Sequence, residues 1–179
     1  RLRGDDEVAL DRLLTVRQEM DRQPQLLDWY WGLLQRWALA GLHLSRGELE
    51  RAHQEADLLV TCASATAERT WQALAWDVSA RTAFAGDDPR QARDLIERGL
   101  AALEGVEAPV AGWQIHATAA DVFEALGETG SAHSHRMSSR DTVLRLAASF
   151  DTYEASRRTF LTSPAVARVL DTAAVGRAL

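Results

Sequence analysis

The chain has 179 residues, 46% of them apolar, enough for one domain with a real core or for a short repeat array. Its net charge of −6 argues against a general nucleic-acid surface. All twenty basic residues are arginine, which excludes a phosphate loop ending in Gly-Lys, a Schiff-base lysine and a Ser-x-x-Lys nucleophile from this segment.

No apolar run approaches the length of a membrane span, and no signal-peptide pattern is visible. Cys62 stands alone, so no internal disulfide and no thiolate metal cluster can form, and a reducing, cytoplasmic compartment is expected. The chain opens at Arg1 rather than Met and reads as a piece of something longer.

Residues 5–23 read as an entering helix: Leu10, Leu13, Leu14 and Val16 crowd one side, and Asp5, Asp6 and Glu7 load the first turn. Gln23-Pro24 breaks it. A first hairpin spans 26–63. Its first helix carries Tyr30, Leu33, Leu34, Trp37, Gly41 and Leu44 at helical spacing; Trp29 and Trp31 widen the apolar surface, so burial on more than one side is expected. Ser45-Arg46-Gly47 turns the chain into a helix with Leu49, Ala52, Ala56, Leu59 and Cys62 or Ala63 facing inward.

A second hairpin spans 66–105. Trp71, Leu74, Ala75, Val78 and Thr82 form its first stripe, and Gly86 ends the helix. Asp88-Pro89 restarts it as an N-cap followed by proline at the first helical position. The third hairpin spans 109–150 and turns at Gly127-Glu128-Thr129-Gly130. Residues 152–171 read as two short helices, an end cap over the last apolar face. Residues 172–179 are expected to fray.

Two alanine series run through the hairpins. Ala40, Ala80 and Ala120 are forty apart, as are Ala52, Ala92 and Ala132, and a turn glycine (Gly47, Gly86 or Gly127) lies between each pair. Small residues at fixed places let paired helices approach closely, and a fixed period of this size marks a helical solenoid. The expected fold is therefore all-α: a solenoid of three helical hairpins, with an entering helix and a C-terminal helical cap.

The unit resembles a tetratricopeptide repeat, whose small residue, turn glycine and alanine spacing is kept by Ala40–Gly47–Ala52 and Ala120–Gly127–Ala132. The middle unit carries Gly86 one place early, so a remodelled turn is expected there. Trp76 and Phe123 meet the family's aromatic positions; Arg36 and Ala83 do not. The stretches 112–121 and 158–170 are similar to the C-terminal repeat region of large bacterial signalling ATPases and multidomain transcriptional regulators. That resemblance implies nucleotide binding upstream and partner sensing in the repeats.

No constellation for catalysis or metal binding is apparent. His133 and His135 point about 200° apart on one helix and cannot share a metal, and His53 and Cys62 lie about 180° apart. His116 takes the place Trp76 has in the preceding repeat, so packing is expected. Cys62 reads as a small core residue, the tryptophans chiefly as packing. No catalytic residue, metal or cofactor is expected.

The family's geometry does imply a concave groove lined by first helices. It would gather Leu34, Trp37 and Gly41, then Leu74, Asp77 and Arg81, then Gln114, Ala117, Asp121 and Glu124. Such a groove would be apolar at one end and acidic at the other, with Arg81 its only base. The expected function is a non-catalytic protein-interaction or regulatory module whose partner is a protein, a peptide or a neighbouring domain, with basic segments favoured. Neither direct nucleic-acid nor membrane binding is expected. The alternative is a sensor enclosing a small inducer and coupled to an upstream ATPase. An open groove favours the first reading, and a closed pocket of about 300 Å3 or more the second.

Overall fold

The computed structural model describes residues 6–175, with side chains described through Asp171. Among them the regular structure is helical throughout: α1 (Asp6–Arg22), α2 (Asp28–Ser45), α3 (Leu49–Ser64), α4 (Arg69–Ala85), α5 (Pro89–Leu103), α6 (Pro109–Ala125), α7 (Thr129–Ser149), α8 (Glu154–Leu161) and α9 (Pro164–Val175). Consecutive helices pack as pairs, making an all-α solenoid of helical hairpins. None of these helices is long and apolar enough to cross a membrane. Helix α9 ends at Val175; of the stretch expected to fray, residues 176–179 lie outside the described residues, as does Asp5.

The hairpins share one turn. Glu48, Asp88 and Glu128, forty apart, donate their backbone N–H to the carbonyls of His43, Ala83 and Phe123 at 2.9, 3.0 and 2.9 Å. This six-to-one bond closes each first helix and needs a left-handed residue just before the donor. Gly47 (φ 72°) and Gly127 (φ 77°) supply it in the outer hairpins. In the middle hairpin Asp87 takes the same place with φ 64°, while Gly86 does not. The remodelled turn expected from the early glycine is thus absent. Asp tolerates the left-handed region better than most non-glycine residues, so the register holds.

Both alanine series are buried. Ala40, Ala52, Ala80, Ala92 and Ala132 are fully enclosed and Ala120 nearly so. One core cluster joins Leu33, Leu59, Trp71, Leu74 and Val78 between the first two hairpins; a second joins Ala80, Ile96, Ile115, Val122 and Phe123 between the next two. Gly99 lets α5 approach α4 and α6, because a Cβ there would lie 2.1 Å from Ile115 Cδ1. At the far end Val143 of α7 packs with Val166 and Val169 of α9, and Phe160 and Leu161 of α8 complete that cluster.

The front end departs from expectation. No side chain of α1 is fully buried. Polar bonds dock it instead: Arg17 spans both oxygens of Glu55 on α3 at 2.9 and 3.0 Å, and Gln35 of α2 donates to the Leu13 carbonyl. Arg36 adds a third bond to Glu55 at 3.2 Å. Against the penalty of its own burial, Arg17 and then Arg36 hold the Glu55 carboxyl below its usual range. Because α1 covers little of the start of α2, Trp29 and Trp31 are about half exposed (49% and 51%), not buried on several sides. Cys62, expected in the core, is exposed; Leu59 and Ala63 take the inward positions.

Candidate functional site

The first helices of the three hairpins do share a cleft, and α9 gives it a fourth wall. Its volume is about 570 Å3. Leu44 comes from the end of α2, Arg81 and Phe84 from α4, Trp113 and Gln114 from α6, and Val169 from α9. Helical spacing explains the selection: 77, 81 and 84 fall on one stripe of α4, and 114, 117 and 121 on one stripe of α6.

Five of the ten expected groove residues meet here: Asp77, Arg81, Gln114, Ala117 and Asp121. The other five lie elsewhere, and Gly41 does not line the cleft. Leu74 is buried in the first core cluster and Trp37 packs against that cluster. Leu34 is 37% exposed outside the cleft. Glu124 is exposed at the end of α6 and pairs with Arg136 of α7 at 3.3 Å. The surface forecast from repeat geometry runs the length of the first helices. The real cleft takes in only the end of α2, the second half of α4 and the middle of α6, together with the start of α9.

Asp77 lies at the floor of the cleft. Its side chain is 1% exposed. Oδ1 accepts a hydrogen bond from the Thr118 hydroxyl of α6 at 2.6 Å. Oδ2 is buried and has no hydrogen-bond partner among the described residues. Arg81, one turn further along α4, holds Nη1 at 3.9 Å from Oδ2, an ion-pair distance too long for a hydrogen bond. Burial pushes the Asp77 carboxyl above its ordinary range; the nearby Arg81 charge, the Thr118 bond and the Arg168 charge oppose that push.

The rim is not mostly negative, and Arg81 is not its only base. Asp121 meets Arg168 of α9 at 3.1 Å. With Arg136 on Glu124, each acid of α6 has a cationic partner from a helix that folds back later in the chain. The cleft therefore joins two acids and two arginines to apolar walls.

A second titratable pair lies away from the cleft. His116 of α6 and His135 of α7 face each other with their Nδ1 atoms 2.8 Å apart, and the Phe123 ring stacks on His135. Burial, then the neighbouring ring of His135, drives the His116 pKa down to about 4; burial lowers His135 also. His116 does pack, as expected, but its partner stands nineteen residues on and shares no local pattern with it. Among the described residues no group of three or more His, Cys, Asp and Glu is placed to hold a metal ion.

Compared with models of known protein families, the chain matches none. Comparisons with curated proteins and with solved structures give no significant match either.

Proposed function

We propose that this chain is a non-catalytic recognition module, a tetratricopeptide-like repeat segment of a larger bacterial signalling or transcriptional regulator, and that it senses a small ligand in the cleft between α2, α4, α6 and α9. The observation that carries the reading is the cleft itself. Its volume of about 570 Å3 falls within the range of small-molecule sites, and its walls are mostly apolar with a few convergent polar groups. Three hairpins alone would leave an open groove; α9 adds a fourth wall to a cleft that stays open to solvent. The hairpins with their repeated left-handed turn support the repeat assignment. No histidine lines the cleft, and its two hydroxyls are committed, Thr118 to Asp77 and Ser45 to the Leu42 carbonyl, which speaks against a nucleophile paired with a base there.

A thermal-shift screen of small metabolites tests the reading, with Ala165→Trp as control. Ala165 is an exposed wall residue of α9, so the indole fills the cleft without disturbing a core. At least one compound is expected to raise the melting temperature of the parent chain and not of the variant. Stabilisation that survives Ala165→Trp, or no stabilisation by any compound at millimolar concentration, overturns the sensing role.

Docking of a protein or neighbouring domain is the second reading. It is favoured by the front of α2, where Leu26, Leu27, Trp29 and Trp31 form an exposed apolar surface. Capture of a protein partner that is lost with Trp29→Ala, Trp31→Ala and kept with Ala165→Trp would select it.

A further inference from the structure

The polar floor of the cleft is incomplete in a particular way. A buried carboxylate oxygen normally collects at least one donor, and leaving it without one is costly. Asp77 Oδ2 has none, although Oδ1 is served by Thr118. Arg81 stands beside it with no hydrogen bond among the described residues and only the 3.9 Å ion-pair contact. A donor-poor acceptor and an acceptor-poor donor therefore lie side by side at the bottom of an apolar cleft.

We propose that Asp77 and Arg81 form the head-group subsite for a small zwitterion, in its simplest form a free α-amino acid with an apolar side chain. The ligand's ammonium donates to Asp77 Oδ2 and its carboxylate accepts from the Arg81 guanidinium. The inference rests on the sensing role proposed above and names its ligand class.

Charge selects the class. A simple cation would satisfy Asp77 and leave Arg81 without an acceptor. A simple anion would satisfy Arg81 and leave a buried carboxylate oxygen bare. An α-amino acid carries both charges on one carbon, so its two groups can lie side by side against Oδ2 and Nη1. Arg81 is 37% exposed and has no hydrogen bond among the described residues to lose, so it can shift to meet the carboxylate as the ammonium approaches Oδ2. Phe84, Trp113, Leu44 and Val169 then enclose the ligand's side chain. Asp121 and Arg168, 3.1 Å apart, already satisfy each other at the rim and stay outside the subsite.

The same head group could come from a free amino acid or from a peptide terminus, and calorimetric titration of the whole chain separates them. The probes are L-phenylalanine, L-leucine, N-acetyl-L-phenylalanine, L-phenylalaninamide and the dipeptide Phe-Gly. The free amino acids are expected to bind saturably, and blocking either the ammonium or the carboxylate should weaken binding about tenfold or more. Phe-Gly binding more tightly than phenylalanine would assign the site to a peptide N-terminus.

Asp77→Asn keeps the size and the Thr118 bond and Arg81→Gln is partly exposed, so both variants should melt cooperatively. Each should weaken phenylalanine about tenfold or more, while Asp77→Asn should leave N-acetyl-phenylalanine, already lacking its ammonium, unchanged. Equal affinity for the blocked and free compounds, unchanged binding in Asp77→Asn, or no binding of any probe at millimolar concentration overturns the proposal. If a ligand of another class still stabilises the chain in an Ala165-dependent way, the sensing role stands and only this assignment falls.

Discussion

Gly99 shows how closely this fold sets its helices. An added Cβ would lie 2.1 Å from Ile115 Cδ1 and 3.1 Å from Trp76 Cβ, and Ile115 is fully buried. Gly99→Ala should therefore destabilise the chain by about 1–2 kcal/mol, net of a helix-propensity gain near 1 kcal/mol. Gly41, also inside a helix, has nothing within 4 Å of an added Cβ, so Gly41→Ala should stabilise by up to about 1 kcal/mol. Urea unfolding of the two variants checks both signs. His116 supplies a pH effect. Its pKa falls from 6.5 to about 4 on folding, so the folded chain resists a proton that the unfolded chain accepts. Stability is fully present above pH 6.5, is lost as the pH falls toward about 4, and levels off below that. His135 acts in the same direction. Asp77 acts oppositely: its raised carboxyl pKa favours the folded state in acid and loses that contribution as pH rises through the folded value. Urea midpoints at pH 7 and about pH 5 should fall less for His116→Gln than for the parent chain, and an equal fall would clear the histidine pair of the effect.

Elements answer to their turns and caps. Asp87 holds a left-handed backbone where the flanking repeats use glycine, and among the described residues its side chain makes no hydrogen bond that offsets the strain. Asp87→Gly should raise stability by about 0.5–1 kcal/mol, and Gly127→Ala should lower it by about 1–2 kcal/mol. Thermal melts of the pair decide whether the forty-residue register or the presence of a glycine sets the turn. At the other end α9 depends on Val166 and Val169 packed against Val143. Val169→Asp buries an unpaired acid and should release α9, visible as fast amide exchange in α9 with α4–α6 still protected. Arg168→Ala removes an ion pair whose partners are 63% and 39% exposed, so it should cost less than about 1 kcal/mol. Hydrogen exchange would separate the two outcomes directly.

Across the whole molecule, charge around the cleft is balanced, because Arg168 and Arg136 answer Asp121 and Glu124. Ligand association there should depend only weakly on salt, and a steep fall in on-rate with ionic strength would point to a different surface. The hairpins were legible in the sequence because their causes are local: helical spacing of apolar residues, alanines forty apart, and caps such as Asp88-Pro89. The C-terminal helices were legible for the same reason. The stripes on the first helices were legible too, which is how Asp77, Arg81, Gln114 and Asp121 could be placed together. Which members of those stripes meet a cleft was not legible, since the same periodicity puts Leu74 in a core and leaves Leu34 outside. Nor was the exposure of Cys62 and Trp31, because both depend on what covers a helix, and α1 covers little. The Thr118–Asp77 bond joins residues 41 apart, the histidine pair joins α6 to α7, and Arg168 reaches Asp121 only after α9 folds back. Such contacts leave no trace in local spacing. The sequence by itself determined the helices, their turns and their pairing, since each rests on residues within one hairpin. The tertiary structure decided that the groove is a four-walled cleft with Asp77 at its floor, because that cleft exists only where four helices from distant parts of the chain converge.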